Sequence, residues 1–230
     1  MKILNGILGT LCAVCLITVF LYFSVASVAY DRNFYSAQYD KNGTMQIVDM
    51  TKQDLMQVTD HMILYLRGKT PGLNILTVVG GQTRMFFSER EITHMVDVLA
   101  MLDFGRTASN TALVLLVMLA GAVVWLNRKK AAKILAKGFV FASSTVGTLL
   151  LALGICCAVD FDGTFTMFHE LFFKNDLWIL DKRVDLLVNI VPTEFFFDIS
   201  LRIGAVFLLL TLLALTASIV IVIKGRKSNA

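Results

Sequence analysis

Four runs of the chain, residues 3–30, 107–127, 138–159 and 203–223, contain no charged residue. A helix needs roughly 20 apolar residues to cross a hydrocarbon core of about 30 Å, and each run is long enough. Four at once weigh strongly against helices buried inside a large soluble protein. The expected architecture is an all-α membrane bundle of four transmembrane helices with an extracellular α+β cap. The pattern divides the sequence into helix 1–30, cap 31–106, helix 107–127, loop 128–137, helix 138–159, a second outer segment 160–202, helix 203–223 and tail 224–230.

The stretch 31–106 is too long to be a plain connection. It begins "DRNFYSAQYDKNG", aromatics among polar residues, with Asn42-Gly43 as a turn signal. "TMQIVDM" reads as a strand. Thr51 is placed to cap a helix running through Arg67, with Leu55, Val58, Met62 and Leu66 on its buried face. "LNILTVV" and "QTRMFF", separated by Gly80-Gly81, predict a hairpin. Ser88 and Glu91 form an S-x-x-E capping box that opens the next helix. Its apolar stripe would be Ile92, Met95, Val96, Leu99 and Leu102. His94 would then face elsewhere, alongside Arg90, Glu91, Asp97, Val98 and Met101.

The segment 160–202 is crowded with Phe165, Phe168, Phe172, Phe173, Trp178, Phe195, Phe196 and Phe197. Such a density fits an aromatic belt at a membrane interface. A belt does not account for His169, Glu170, Asp176, Asp181 and Asp185 threaded among those rings.

Composition agrees with a membrane: 57% hydrophobic residues, mean hydropathy +0.72 and only 17% charged. Charge supplies the orientation. Lys2, Arg128, Lys129, Lys130, Lys133, Lys137, Lys224, Arg226 and Lys227 fall on one side of the four runs, with no acid. All 17 acids and the other 12 basic residues fall on the opposite side, so the net +4 is +9 on one side and −5 on the other. Basic short loops stay in the cytoplasm, which puts both termini inside and the His94 helix outside. With charge so divided, the net positive value carries no implication of a nucleic-acid partner. Met1-Lys2 before a long apolar run, with Ser27 and Ala29 at its end, also resembles a secretory signal. The run far exceeds the length of a signal core, so a retained helix is expected. Cys12, Cys15, Cys156 and Cys157 all lie within apolar runs, where they pack as small apolar residues.

Candidate chemistry gathers in the outer segments, which hold all three histidines, His61, His94 and His169. A lone His is most often a solvated residue, and packing alone explains the helix of His61. His94 has Glu91 one turn back and Asp97 one turn on, carboxylates able to orient a ring that holds a proton. His169 has Phe165 and Phe172 or Phe173 at helical spacing. "HELFF" lacks the second His of H-E-x-x-H, since Phe173 holds that position. A His/His/carboxylate metal site remains an alternative. No phosphate loop or nucleophile elbow is present, and no acid lies within a span to couple ion transport.

"FFSEREITHMVDV" (86–98) and "FHELFFKNDLWILDKRVDLLVNIVPTEFF" (168–196), on four spans in this order, resemble the bacterial lipoprotein intramolecular transacylase family (Lit). The resemblance covers essentially the whole sequence. It implies a multi-pass acyltransferase of the bacterial cell membrane with an extracellular cap. Its substrate would be a diacylglyceryl lipoprotein with a free N-terminal amine, held amid membrane lipid. The sn-2 chain would pass to that amine, giving the lyso form, with no cofactor and no metal. The catalytic pair would be His94 and His169. Glu91, Asp97, Asp176 and Arg90 are the expected supporting groups, Arg90 also being a candidate oxyanion donor, and Phe172 and Trp178 the expected pocket walls. A metal-dependent membrane hydrolase and a non-enzymatic sensor or assembly protein are the alternatives.

Overall fold

The uncharged runs fold as long helices. A computed structural model, which describes residues 1–227, is mostly helical with one small sheet. The last three residues of the expected tail 224–230 lie outside the described residues. Lys2–Ala29, Glu89–Val159 and Thr193–Lys224 are long and apolar enough to cross a membrane. The first is α1 (Lys2–Ala29) and the last lies within α9 (Thr193–Lys227). The middle stretch holds two helices, α5 (Glu89–Asn127) and α6 (Ala131–Val159), joined by a 3-10 turn at Arg128–Lys130.

Two expected boundaries differ. The cap helix and the second span are one helix of 39 residues. Gly105 sits between them, but a single Gly costs a helix only about 1 kcal/mol, and no Pro follows. The loop expected over 128–137 is only the 3-10 turn, because Arg128 reverses the backbone with φ 41° and α6 starts at Ala131. Lys133 and Lys137 belong to that helix; Ala, Leu and Lys are all strong helix formers.

The protein divides into two compact units. The apolar one takes residues 1–25, 105–159 and 203–227. Its core is Ala13, Ile17, Phe139, Ala142 and Phe207. Small residues let two backbones meet: a Cβ built on Gly138 would lie 2.1 Å from the carbonyl carbon of Gly9. One built on Gly9 would lie 2.7 Å from the Ile134 oxygen. The Asn5 amide donates to Asn127 Oδ1 at 2.8 Å, which satisfies a polar pair among apolar helices.

The second unit takes residues 26–104 and 160–202. α2 (Arg32–Asn42) is capped by the Asp31 side chain on the Asn33 N–H and ends at Gly43, left-handed at φ 63°. No helix was expected there. The apparent strand at 44–50 is instead α3 (Thr44–Val48). Its alternation is really one short turn of helix, which buries Thr44 and Val48 four residues apart. α4 (Lys52–Leu66) begins as expected, the Thr51 hydroxyl accepting the Asp54 N–H at 3.1 Å. Leu55, Val58, Met62 and Leu66 are buried on it. The hairpin pairs β1 (Leu76–Val79) with β2 (Gln82–Met85). Gly80 and Gly81, at φ 59° and 75°, supply the two positive φ values that a two-residue hairpin turn needs. Phe34, Tyr35, Tyr39 and Phe195 form an aromatic core, in which the Tyr39 hydroxyl bonds Thr59 at 2.8 Å.

The Gly9–Gly138 contact gives a test. Gly138→Ala should cost about 1–3 kcal/mol, the usual cost of overpacking, and lower the thermal midpoint in detergent. Gly6→Ala, which meets nothing within 4 Å, should be neutral or slightly stabilising. Equal midpoints for the two variants would contradict the close helix contact.

Candidate active site

Two helix starts place the histidines. In α5 the Ser88 N–H donates to Glu91 Oε2 at 2.6 Å and the Glu91 N–H donates to Ser88 Oγ at 3.2 Å. This reciprocal capping box fixes the first turn, and His94 follows one turn later. α7 (Phe161–Phe172) is opened by Asp160, whose carboxylate accepts the Gly163 N–H at 2.9 Å. Its third turn carries His169. The two imidazoles lie with centroids 6.1 Å apart and planes 32° apart, each 7% exposed.

Aromatic rings enclose the pair. Phe173 packs on both, its centroid 5.2 Å from His94 and 5.5 Å from His169. Phe165 and Trp178 lie 4.3 and 4.9 Å from His169. The residue that breaks the zinc-protease motif is thus the wall common to both histidines. His169 Nδ1 is 2.8 Å from the Phe165 carbonyl oxygen. A carbonyl only accepts, so Nδ1 carries the proton and Nε2 presents a lone pair. His94 Nδ1 is buried without a hydrogen-bond partner.

Burial disfavours the imidazolium form. His94 is pushed down to about 4, first by burial, then by His169, with Asp97 opposing. His169 is lowered by burial, the Phe165 carbonyl opposing. Both rings are neutral at pH 7, the state needed to accept a proton.

The expected supporting residues do other work than orienting rings. Glu91, buried, accepts the N–H of Ser88 and of Leu187, the first residue of α8 (Leu187–Ile190). Burial raises its carboxyl above the usual range, against those N–H groups, and Asp185 adds to the rise. Asp97 accepts from Asn175 at 2.9 Å, and reaches His94 through its charge. Arg90 donates to the backbone oxygen of Asp176, so the backbone of Asp176 is the partner. Phe172 is 54% exposed and packs tilted on Phe168, while its neighbour Phe173 lies against both imidazoles. Trp178 packs against His169. His61 has its Nε2 buried without a partner, and among the described residues no ring contact joins it to the pair. Asp185 and Ser88, joined at 3.1 Å, were missed as a link because only the fold brings residues 97 apart together. The expected apolar stripe of α5 is also corrected. Glu91, His94 and Met95 are buried while Val96 is exposed, because the partner surface is aromatic and polar rather than aliphatic. Among the described residues no group of three or more His, Cys, Asp or Glu is gathered as metal ligands would be.

Comparison with known proteins decides the family. The family model described as lipoprotein intramolecular transacylase Lit matches residues 10–196. The protein belongs to the lipoprotein intramolecular transacylase (Lit) family. It is an acyltransferase of lipoprotein processing and, by its long apolar helices, an integral membrane protein. The fold matches the in meso structure of Lit from Bacillus cereus with a TM-score of 0.79 at 20% identity, over 99% of this sequence and 100% of that one. Two structures of the same Bacillus cereus protein, with one histidine changed to arginine or to alanine, match at TM-scores of 0.75, also at 20% identity. They cover 99% and 98% of this sequence and 96% and 97% of theirs. No individually curated protein matches the sequence.

The lowered His94 pKa predicts a stability profile. The unfolded protein takes up a proton at this residue near pH 6.5, whereas the folded protein refuses it until about 4. The unfolded state then binds more protons in that window, and stability falls as pH drops from about 6.5 towards 4. Thermal midpoints in detergent should fall more steeply over this range for the native protein than for His94→Gln. Parallel slopes would contradict a buried, neutral His94.

Proposed function

We propose that this transacylase moves the sn-2 acyl group of a diacylglyceryl lipoprotein to that lipoprotein's own N-terminal cysteine amine, with His94 and His169 as the acid/base pair. The observation that carries this reading is the adjacency of two buried, neutral imidazoles 6.1 Å apart in an aromatic cage. The protein would span the bilayer four times, α5 and α6 each crossing once, with both termini cytoplasmic. The one-sided distribution of all 17 acids supports placing the pair outside. So does the length of α5: 39 residues are about 58 Å of helix, nearly twice the hydrocarbon thickness.

The chemistry suits that side. No ATP is available there, so an amide must be made from a bond already activated, and the ester of the lipoprotein's own glyceryl group is one. As the amine nitrogen attacks the ester carbonyl, the bare Nε2 of His169 takes the amine proton. The N–C bond forms, the C–O bond to glycerol breaks, and the pair returns the proton to the departing oxygen. Amine, Cα, Cβ, sulfur, two glyceryl carbons, ester oxygen and carbonyl carbon close a ring of about eight atoms. Such rings close reluctantly, so holding amine and ester together supplies much of the acceleration, up to effective molarities of about 10⁵–10⁸ M. Phe165, Phe173 and Trp178 provide an uncharged surface for folding glyceryl and acyl groups, with membrane lipid as the surrounding medium.

The test is the mass of a lipoprotein N-terminal peptide, which separates N-acyl monoacylglyceryl from free-amine diacylglyceryl forms. His94→Gln and His169→Gln should each lose about 10²–10⁴-fold in rate, since Gln cannot cycle a proton. The double variant should be little worse than either single one, because the residues act as a unit. Near-normal lyso-form yield from a well-expressed double variant would overturn the pair.

A further inference from the structure

The segment 173–187 runs from the aromatic wall at Phe173, past Trp178, to the start of α8, with no regular helix until Leu187. It is fastened to the first turns of α5 at three places. Arg90 donates to the Asp176 carbonyl, and Asn175 donates to Asp97 at 2.9 Å. The third fastening is the buried one. Glu91, 1% exposed, takes the Leu187 N–H on Oε1 and the Ser88 N–H on Oε2. Ser88 Oγ donates to Asp185 Oδ1 at 3.1 Å, and Asp185 Oδ2 takes the Asp181 N–H at 2.9 Å. Glu91 and Asp185 thereby close both ends of the 181–187 turn onto the helix that carries His94 one turn further on.

A carboxylate this buried is costly, and replacing it leaves donors unpaired rather than merely removing a contact. A simple helix cap needs only the Ser88 half of the arrangement, which an exposed Glu would satisfy equally well. The Leu187 half reaches 96 residues along the sequence, to the far end of the segment whose near end covers the histidines. We propose that Glu91 is a positioning residue, acting through the strap 173–187 to keep Phe173 and Trp178 seated on His94 and His169. This rests on the reading of the two histidines as the acid/base pair. Seated, the strap keeps water from the imidazoles and keeps them neutral. The charged and titratable groups bearing on the pair are the two rings themselves and Asp97 on α5; Asp185 bears on Glu91. Loosened, the strap rehydrates the rings, and their protonated form becomes accessible at higher pH.

Trp178 is a built-in reporter. The protein has two tryptophans, and the other, Trp125, lies 78% exposed in the apolar run 107–127. In a Trp125→Phe background, reconstituted in nanodiscs, acrylamide quenching reads Trp178 alone. Glu91→Ala should make Trp178 severalfold more accessible and move the acid limb of the kcat profile up towards about 6.5. At pH 7 kcat should fall by about 10- to 100-fold, the scale of a misplacement near 1 Å, with KM changed little. Glu91→Gln keeps one acceptor oxygen and should fall between the two. Asp185→Asn loosens the same link from the strap side and should act in the same direction if Glu91→Ala does not fold. Trp178, half-buried in the native protein, showing unchanged quenching in both Glu91→Ala and Asp185→Asn would overturn the proposal. An exposed Trp178 with an unmoved acid limb would also overturn it, leaving Glu91 a purely structural residue. Quenching needs no turnover, so failure of the histidine pair as catalyst is seen separately in the double histidine variant.

Discussion

A proton acceptor at a membrane surface works only if it is unprotonated, and an imidazole stays so when the cost of hydrating its charged form is raised. For the proposed acid/base pair that constraint would be met by the burial of two imidazoles beside one another against Phe165, Phe173 and Trp178. His169 lowers the chance that His94 is charged, and burial disfavours the charge on both rings. The surrounding architecture serves this arrangement. α5 and α7 each have an N-terminal carboxylate cap that fixes the helix one to three turns before its histidine. The Phe165 carbonyl fixes which nitrogen of His169 bears the proton.

The polar groups near the pair hold the 173–187 segment, not rings. Glu91, Arg90 and Asp97 each reach across to the 173–187 segment, to a backbone N–H, a backbone carbonyl and a side-chain amide in turn. A carboxylate hydrogen-bonded to an imidazole would raise that ring's pKa and favour the cation. Committing these groups elsewhere leaves the rings neutral, which is the state that the proposed acid/base role requires. Membership of the transacylase family and a neutral histidine pair are consistent with each other on physical grounds, since moving an acyl group from ester to amine transfers one proton and needs no redox step.

Signals in the sequence were legible where they were local in origin. Thr51, the Gly80-Gly81 turn and the Ser88–Glu91 capping box act over two to four residues, and each is found as read. The long apolar runs were equally plain, because composition alone makes them. The errors share a cause. "TMQIVDM" alternates too briefly to separate strand from helix, and α3 is only 5 residues long. The stripe on α5 was drawn through aliphatic residues, whereas the surface it meets consists of Phe173 and His169, known only once α7 is placed. The two phenylalanines after His169 are alike in the sequence, both at helical spacing, but α7 ends at Phe172, and Phe173 turns inward in extended conformation. The Asp185–Ser88 link spans 97 residues, and no pattern in the sequence announces it.

The central claim is that the acyl group reaching the cysteine amine comes from the sn-2 position of the lipoprotein substrate and not from membrane phospholipid. A synthetic diacylglyceryl lipopeptide with a deuterated sn-2 acyl group, reconstituted with the native protein in an excess of unlabelled phospholipid, tests it directly. Tandem mass spectrometry of the product should find the full deuterium label in the amide-linked acyl group and none diluted by the surrounding lipid. An unlabelled acyl group on the amine, drawn from the phospholipid, would contradict the account.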